Sequence, residues 1–346
     1  MSRRRVKDET NPTTDGAKLS DLYEKITNRI IDQLTQGVVP WKSPYFSTTG
    51  IPKNFATQKE YQGINVLLLG SQRFTSPYYL TFLQAKELGG MVRKGEHGFL
   101  VVKYGTYTKD DEKAHEDDPA KLRGYLKGYT VFHASQIDGI EFPEPPAASD
   151  LSTTEKTDRA RAIIESMPQR PSISEGSAVP CYRKLTDSIH MPELGYFTNE
   201  EAYYSTLFHE LGHATGHHSR LARKSLMDNK GFGATGDTAR KTYAEEELVA
   251  EMTASFLSAH AGIIEDELEN SAAYLQSWIN ALRTKDARSW IVRAASQGQK
   301  AADFIMGRNL NLGSDVQTPD PKQSTAGGFV EKLEARKSSS QQGRSR

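Results

Sequence analysis

Two histidines and a glutamate in the second half of the chain have the types and the spacing of a metal site. His209 and His213 are four residues apart within a helical pattern, so both imidazoles project from one face of a helix. Glu210 follows the first histidine and is rotated from it by about 100° around the helix axis. There it can act as a general base without binding the metal. The motif therefore predicts a zinc-dependent, metallopeptidase-type site.

A catalytic zinc usually takes three protein ligands, so the third must come from another element. The next strong helical pattern contains three candidates, Glu246, Glu247 and Glu251. Glu247 and Glu251 are four residues apart and share a helix face, and the apolar residues around them indicate that much of this helix is buried. A buried glutamate needs a partner, which a metal can supply. The pattern alone leaves all three glutamates open as the third ligand.

A histidine as the third ligand is disfavoured by the residues that follow the motif. Metzincins have the sequence His-Glu-x-x-His-x-x-Gly-x-x-His. Gly216 fits this pattern, but the last position is Ser219, and His217 and His218 come two and one residues too early. A glutamate ligand is therefore preferred. The alternative without a metal is a helix that carries two exposed or hydrogen-bonded histidines.

Other chemistries and locations find little support in the sequence. Residues 231–236 match G-x-G-x-x-G but lack a βαβ context, so a loop is preferred to dinucleotide binding, and a P-loop motif is missing. The single cysteine, Cys181, excludes a disulfide framework within the chain and fits a reducing cytosol. The longest strongly apolar run, residues 64–69, is too short to span a bilayer, and no secretory signal is recognised. We therefore expect a cytoplasmic protein without a membrane partner.

The first half of the chain combines basic charge with aromatic residues. Outside the acidic stretch 110–118, residues 19–143 hold 14 basic against 8 acidic residues, whereas residues 157–312 hold 17 against 20. Single-stranded nucleic acid is bound by stacking on aromatic rings and by basic side chains along the phosphates. For any single ring, packing in the core is the alternative. The candidate DNA contacts are Trp41, Lys42, Tyr45, Lys53, Arg73, Arg93, Lys94 and Lys103.

The elements that must position these residues indicate an α+β chain of two domains. Residues 19–143 are predicted to form an α+β domain with a small, antiparallel sheet, in which residues 64–69 fit either a helix or a strand. The proline-rich linker, residues 144–156, should be crossed by few contacts. Residues 157–312 are predicted to be mainly helical with a small sheet. Their four longest helices are expected near 199–216, 243–261, 267–282 and 285–306, and disorder is expected at 1–18 and 313–346.

Both halves resemble the ArdC antirestriction proteins of conjugative plasmids, whose N-terminal region is shared with TraC-type proteins. The resemblance covers roughly residues 19–308 and is specific in the order and spacing of its segments. In the first half it rests on residues 30–41, 61–69, 89–96 and 129–132. In the second half it rests on residues 203–217, 220–221, 243–251 and 277–278.

The resemblance implies an N-terminal single-stranded-DNA-binding domain and a C-terminal zincin-like metallopeptidase domain. It implies that His209, His213 and Glu247 bind Zn²⁺ (Mn²⁺, Co²⁺ or Ni²⁺ could take the same ligands) and that Glu210 is the general base. Glu251 would then orient a histidine, while Glu246 and Glu251 stay alternative ligands.

The implied biological role is protection of incoming, unmodified plasmid DNA from host restriction. A non-catalytic protein that coats single-stranded DNA and keeps a structural metal site is a competing hypothesis. A replication or primase accessory factor is a weaker one, since the Glu-Gly-Tyr-Ala-Thr-Ala stretch of conjugation primases is missing from the sequence.

Overall fold

The computed structural model describes residues 12–42, 50–72, 74–108, 122–144, 151–227, 237–263, 272–283 and 289–308. The predictions of a disordered tail, of a loop at 231–236 and of DNA contacts by Tyr45 and Arg73 lie outside these residues. Among the helices described, none combines the length and the apolar character needed to cross a bilayer.

The first half begins with a long helix and continues as a small mixed sheet. Helix α1 spans Pro12–Thr35, so the prediction of disorder up to residue 18 is wrong from Pro12 onward. Proline suits a helix start, because the N–H that it lacks would have no intrahelical acceptor there. Residues 64–69, which the sequence left open, form helix α2 (Ile64–Gly70). The third helix, α3, is Phe82–Glu87.

The main sheet of this half has the strand order β1-β2-β5-β4. Strands β4 and β5 form a long antiparallel hairpin, but β1 and β2 are parallel, so the sheet is not wholly antiparallel as predicted. A separate pair of short strands, β3 and β6, is antiparallel. The strands are β1 (Lys53–Asn54), β2 (Tyr78–Leu80), β3 (Met91–Val92), β4 (Phe99–Thr108), β5 (Leu122–His133) and β6 (Ile137–Asp138).

The second half is mainly helical, with a three-stranded sheet of order β7-β9-β8 in which β8 is an edge strand. Its strands are β7 (Ser172–Glu175), β8 (Cys181–Arg183) and β9 (Ser188–Met191). Its helices are α4 (Thr153–Glu165), α5 (Glu200–Thr215), α6 (Lys224–Met227), α7 (Asp237–Ala261), α8 (Ala272–Leu282) and α9 (Trp290–Ile305). The helices predicted near 199–216, 243–261, 267–282 and 285–306 correspond to α5, α7, α8 and α9. Helix α7 starts six residues earlier than predicted, and the described parts of α8 and α9 each begin five residues later.

Helices α5 and α7 pack closely because glycine lies at their contact. A Cβ atom on Gly212 would lie 3.0 Å from Ala250 Cα, closer than side chains normally come to a backbone atom. Asn199 caps α5 by accepting a hydrogen bond from the Ala202 N–H at 2.8 Å, and Glu200 and Glu201 lie in its first turn, where the helix dipole favours negative charge. This close packing brings His209 and His213 of α5 close to Glu247 of α7.

The two halves share one core, which corrects the expectation that few contacts would cross the linker. A single cluster of buried apolar side chains contains Ile30 and Leu67 from the first half together with Phe256 and Ile291 from the second. Polar contact joins the halves as well, since the Gly63 N–H donates to Gln299 Oε1 at 3.1 Å. A proline-rich linker in the sequence therefore does not prevent the flanking domains from packing on each other.

Candidate metal centre

Helices α5 and α7 bring together one group of three side chains that can hold a metal ion. His209 and His213 come from α5 and Glu247 comes from α7, and all three are partly buried. The two histidine Nε2 atoms are 3.1 Å apart. Glu247 Oε2 lies 3.5 Å from His209 Nε2, and Glu247 Oε1 lies 3.6 Å from His213 Nε2.

These distances fit the coordination shell of zinc. With zinc–nitrogen and zinc–oxygen bonds of about 2.0–2.1 Å, ligand atoms in a tetrahedral shell lie about 3.3–3.4 Å apart. The two histidine nitrogens and the nearer Glu247 oxygen of each therefore lie at separations close to the edge of such a tetrahedron, and the three side chains form the ligand triangle. Two nitrogens and one oxygen leave the fourth position for water or substrate, which is the usual arrangement of a catalytic site.

The charges around the triangle favour a cation between its corners. Burial alone would lower the pKa of His209, but its hydrogen bond to Glu247 and the carboxylates of Glu251 and Glu210 outweigh burial and raise the pKa to about 9. Burial would raise the pKa of Glu247, but the two histidines lower it. Since a metal needs neutral imidazoles, its binding would displace protons from this cluster.

Glu210 is held beside the triangle by the edge strand of the small sheet. Its Oε2 accepts a hydrogen bond of 2.6 Å from the backbone N–H of Tyr182 in β8. Glu210 is buried, and its carboxylate is not among the ligand atoms of the triangle. The structure thus places the proposed base next to a metal position without making it a ligand. Nothing in the spacing of the sequence predicted the contact with Tyr182.

Glu246 contacts His213 on the side away from the triangle. Glu246 Oε1 lies 3.4 Å from His213 Nδ1, where it can fix the ring orientation. Glu251 instead lies 3.8 Å from Lys42 of the first half. Glu246 is therefore placed to orient His213, and neither glutamate belongs to the ligand triangle. Glu251 raises the pKa of His209, so the orienting role that the resemblance implies for Glu251 stays a prediction.

Arg223 compensates the buried charge of Glu246. Its Nε donates to Glu246 Oε2 at 3.1 Å and its Nη2 to Oε1, while Ser225 Oγ donates to Oε2 at 2.5 Å. Burial would raise the pKa of Glu246, but Arg223 and His213 lower it from 4.5 to about 2. Sequence analysis missed Arg223, because a lone arginine outside a helix gives no sign of being buried.

Exchange of Glu246 for glutamine should destabilise the metal-free protein by about 3–5 kcal/mol at pH 7, because it leaves the buried Arg223 charge uncompensated. Metal affinity should fall about 10- to 100-fold through loss of ring orientation. Urea unfolding and metal titration measure the two effects. The pKa is lower in the folded protein, so the stability difference should be complete above pH 4.5 and shrink as the pH falls towards 2.

Glu251→Gln is the matched control, since it removes another carboxylate from the same helix. The ion pair of Glu251 with Lys42 is longer than that of Glu246 with Arg223 and is partly exposed. We expect this variant to lose less stability. Equal losses in the two variants, or a difference that is independent of pH, would contradict the role assigned to the Arg223–Glu246 pair.

The candidate DNA contacts of the first half differ in accessibility. Trp41 is only 1% exposed and packs edge-on against Trp278, with ring centroids 5.7 Å apart. It is a core residue, so the prediction that it stacks on bases is wrong for this conformation. Its neighbour Lys42 faces the second half through Glu251.

The other basic candidates that the structure describes lie at or near the surface. Lys94 is exposed, Lys103 is half-buried on β4, and Lys53 Nζ lies 5.0 Å from the centre of the Tyr78 ring. Arg93 is exposed but already bound to carboxylates, with Nη2 2.8 Å from Glu96 and Nη1 3.2 Å from Asp138. Lys94 is therefore the candidate whose charge is most available to a phosphate.

Similarity to known proteins extends over both halves. Residues 20–132 match the N-terminal domain of the anti-restriction factor ArdC, and residues 158–297 match a zincin-like metallopeptidase domain. The crystal structure of the antirestriction protein ArdC from plasmid R388 is 39% identical in sequence and has a TM-score of 0.64. Its metal-free form aligns with 82% of this chain and 96% of its own. The Mn(II)-bound form has the same identity and TM-score, with 84% and 99% covered.

Two further relatives differ strongly in length. DNA primase TraC of Escherichia coli is 35% identical over 302 residues, which cover 82% of this chain but 27% of the primase. The uncharacterized protein y4eC of Sinorhizobium fredii (strain NBRC 101917 / NGR234) is 34% identical over 300 residues, which cover 83% of this chain and 92% of the relative. The chain thus spans about a quarter of the primase and nearly all of the shorter relatives.

Proposed function

The chain belongs to the family of ArdC antirestriction proteins, and on that premise we propose that it protects incoming plasmid DNA from host restriction. In this proposal the first half binds single-stranded DNA and the second half carries a zinc-dependent peptidase site. Such a protein would act in the cytoplasm of the cell that receives the DNA. The observation that carries the enzymatic part is the ligand triangle of His209, His213 and Glu247 with Glu210 beside it.

The donor set supports zinc as the bound metal. Imidazole and carboxylate ligands suit zinc, although Mn²⁺, Co²⁺ and Ni²⁺ are compatible with them. A Mn(II)-bound structure of the R388 relative supports a divalent cation at such a site. When bound, the metal would supply a Lewis acid that polarises a peptide carbonyl. The carboxylate of Glu210 would take a proton from the attacking water and return it to the leaving amine.

The DNA-binding part of the proposal relies on the exposed basic residues of the first half. Because Trp41 is buried, the proposed DNA binding depends more on phosphate contacts by Lys94 and Lys103 than on stacking of bases on aromatic rings. Tyr104 follows Lys103 on β4 and is 45% exposed, so one aromatic ring of the hairpin remains accessible, on the face opposite to that of Lys103. A long hairpin with a lysine and an aromatic ring at its surface is suited to a flexible single strand.

Exchange of Lys94 for alanine should weaken single-stranded-DNA binding because one phosphate contact is lost. The slope of log affinity against log salt concentration should become shallower by about 0.7. Fluorescence anisotropy of a labelled oligonucleotide, titrated at several salt concentrations, measures both quantities. Arg159→Ala removes an exposed basic side chain from the second half and serves as the control. Equal effects of the two substitutions would contradict a DNA surface at Lys94.

The likeness to DNA primase TraC favours a second candidate function, that of a replication accessory factor. The chain corresponds to about a quarter of that protein, so the primase activity does not carry over with the resemblance. Primer synthesis on single-stranded templates tests this candidate directly. We expect no primers from the purified chain.

A further inference from the structure

The contact between Glu210 and β8 ties the proposed base to a hairpin outside the metal helices. Tyr182 lies opposite Ile189 in the β8–β9 pair, but its N–H points to Glu210 Oε2 instead of the neighbouring strand. A hydrogen bond from a backbone amide to a carboxylate is charge-assisted and directional. The position of β8 therefore sets the position of the carboxylate.

The same tyrosine is held at its other end by a carboxylate of the hairpin. The Tyr182 hydroxyl donates to Asp187 Oδ1 at 2.8 Å. Asp187 lies between β8 and β9 with a positive φ of 48°. Aspartate tolerates this left-handed conformation better than most residues do. Asp187 thus connects the side chain of Tyr182 to the turn of its own hairpin.

Arg220 connects this hairpin to the end of the metal helix. Its Nη1 donates to Asp187 Oδ2 at 3.0 Å, and its Nη2 donates to Asp187 Oδ1. Its Nε donates to the carbonyl of Ala214, the residue after His213, at 2.7 Å. The Arg220 side chain is only 1% exposed. One rigid guanidinium therefore fixes the spacing between helix α5 and the β8–β9 hairpin.

We propose that Asp187 and Arg220 are positioning residues for Glu210, acting through Tyr182. They lock the hairpin against α5 so that the Tyr182 N–H holds the Glu210 carboxylate beside the ligand triangle. The meaning of this arrangement for catalysis rests on the proposed peptidase function. If Asp187 and Arg220 only stabilise the fold, their substitution should loosen the hairpin as a whole. If they position Glu210, their substitution should selectively weaken the bond between Tyr182 and Glu210.

Amide hydrogen exchange at residue 182 tests the proposal in the zinc-loaded full chain. Tyr182→Phe removes the hydroxyl that donates to Asp187, and Asp187→Asn removes the charge and one of the two oxygens that accept from Arg220, while both keep side-chain shape. We expect the exchange of this amide to become roughly three- to tenfold faster, as for the loss of one hydrogen bond. Mass spectrometry with electron-transfer fragmentation resolves the single residue. Glu210→Ala, which leaves the amide without an acceptor, sets the upper limit of the effect.

Glu175→Gln is the matched control, because Glu175 accepts a similar bond of 2.9 Å from the Tyr203 hydroxyl in the same sheet region. This variant should leave exchange at residue 182 unchanged. Unchanged exchange in both Asp187→Asn and Tyr182→Phe would overturn the proposal. So would an equal acceleration at all amides of β8 and β9, or an equal effect of the control.

The exchange experiment is independent of peptidase activity, so the two proposals can fail separately. The variants could show selectively faster amide exchange at residue 182 while the wild type shows no proteolysis. This result would support the positioning of Glu210 by Asp187 and Arg220 but would refute a role of that positioning in catalysis. Zinc content of each variant should stay at the wild-type level, because no ligand is altered. Loss of zinc in Asp187→Asn would instead show that Asp187 and Arg220 act on the histidines, and it would overturn the assignment to Glu210.

Discussion

Exchange of Glu210 for glutamine should lower turnover by about 10²- to 10⁴-fold, the usual contribution of a general base. The carboxamide keeps the size of the side chain but cannot take a proton from water. Because Glu210 is not a corner of the ligand triangle, metal content should not change. Antirestriction should fall in parallel, as measured by the transfer of unmodified plasmid DNA into a restricting host.

This experiment separates an enzyme from a protein that protects DNA by coating it. Metal content and single-stranded-DNA affinity are measured on the same preparation, so a folding defect would be visible. Glu200→Gln, which alters an exposed glutamate in the first turn of the same helix, is the control and should behave like the wild type. Full antirestriction by the Glu210→Gln protein, with metal and DNA bound, would support the coating protein and refute the peptidase.

Exchange of Glu247 for alanine should abolish metal binding by the purified protein. The substitution leaves two histidines, which form an incomplete site for zinc. Since disturbing a residue behind a ligand already costs about 10- to 100-fold in affinity, removal of a ligand should exceed that range. Elemental mass spectrometry of the protein after incubation with zinc should find about one ion per chain in the wild type.

Glu251→Ala is the comparison that identifies the ligand, because Glu251 lies one turn further along the same helix. We expect this variant to retain its zinc. Zinc bound by Glu247→Ala but not by Glu251→Ala would transfer the third ligand to Glu251. A wild type that takes up no zinc would remove the enzymatic proposal and leave a DNA-binding protein.

Helical spacing was sufficient to predict the two histidines, but it could not distinguish the glutamates. A separation of four residues places His209 and His213 on one face whatever surrounds the helix. Glu246 and Glu247 are adjacent and point about 100° apart. Which of them faces the histidine Nε2 atoms depends on how α7 is rotated against α5, and close packing at Gly212 determines that rotation. The family resemblance, and not the spacing, favoured Glu247.

Residues that lie between the two halves were the least predictable. Trp41 stands beside a lysine in a basic half, a context that fits DNA stacking as well as core packing. Its burial depends on Trp278, which is more than 200 residues away in the sequence. Arg223 likewise owes its burial to a glutamate on another helix. Local patterns carry no information about such partners, so only the tertiary structure reveals these contacts.

The shared core has a consequence for how such proteins can change over generations. A substitution at Gly63 alters the fit to Gln299, and a substitution at Trp41 alters the fit to Trp278. The halves are therefore not interchangeable cassettes, although they match separate families of domains. A recombination event that replaced one half alone would pair two surfaces that were selected with other partners. We infer that the two halves are inherited together and accumulate compensating substitutions across their contact.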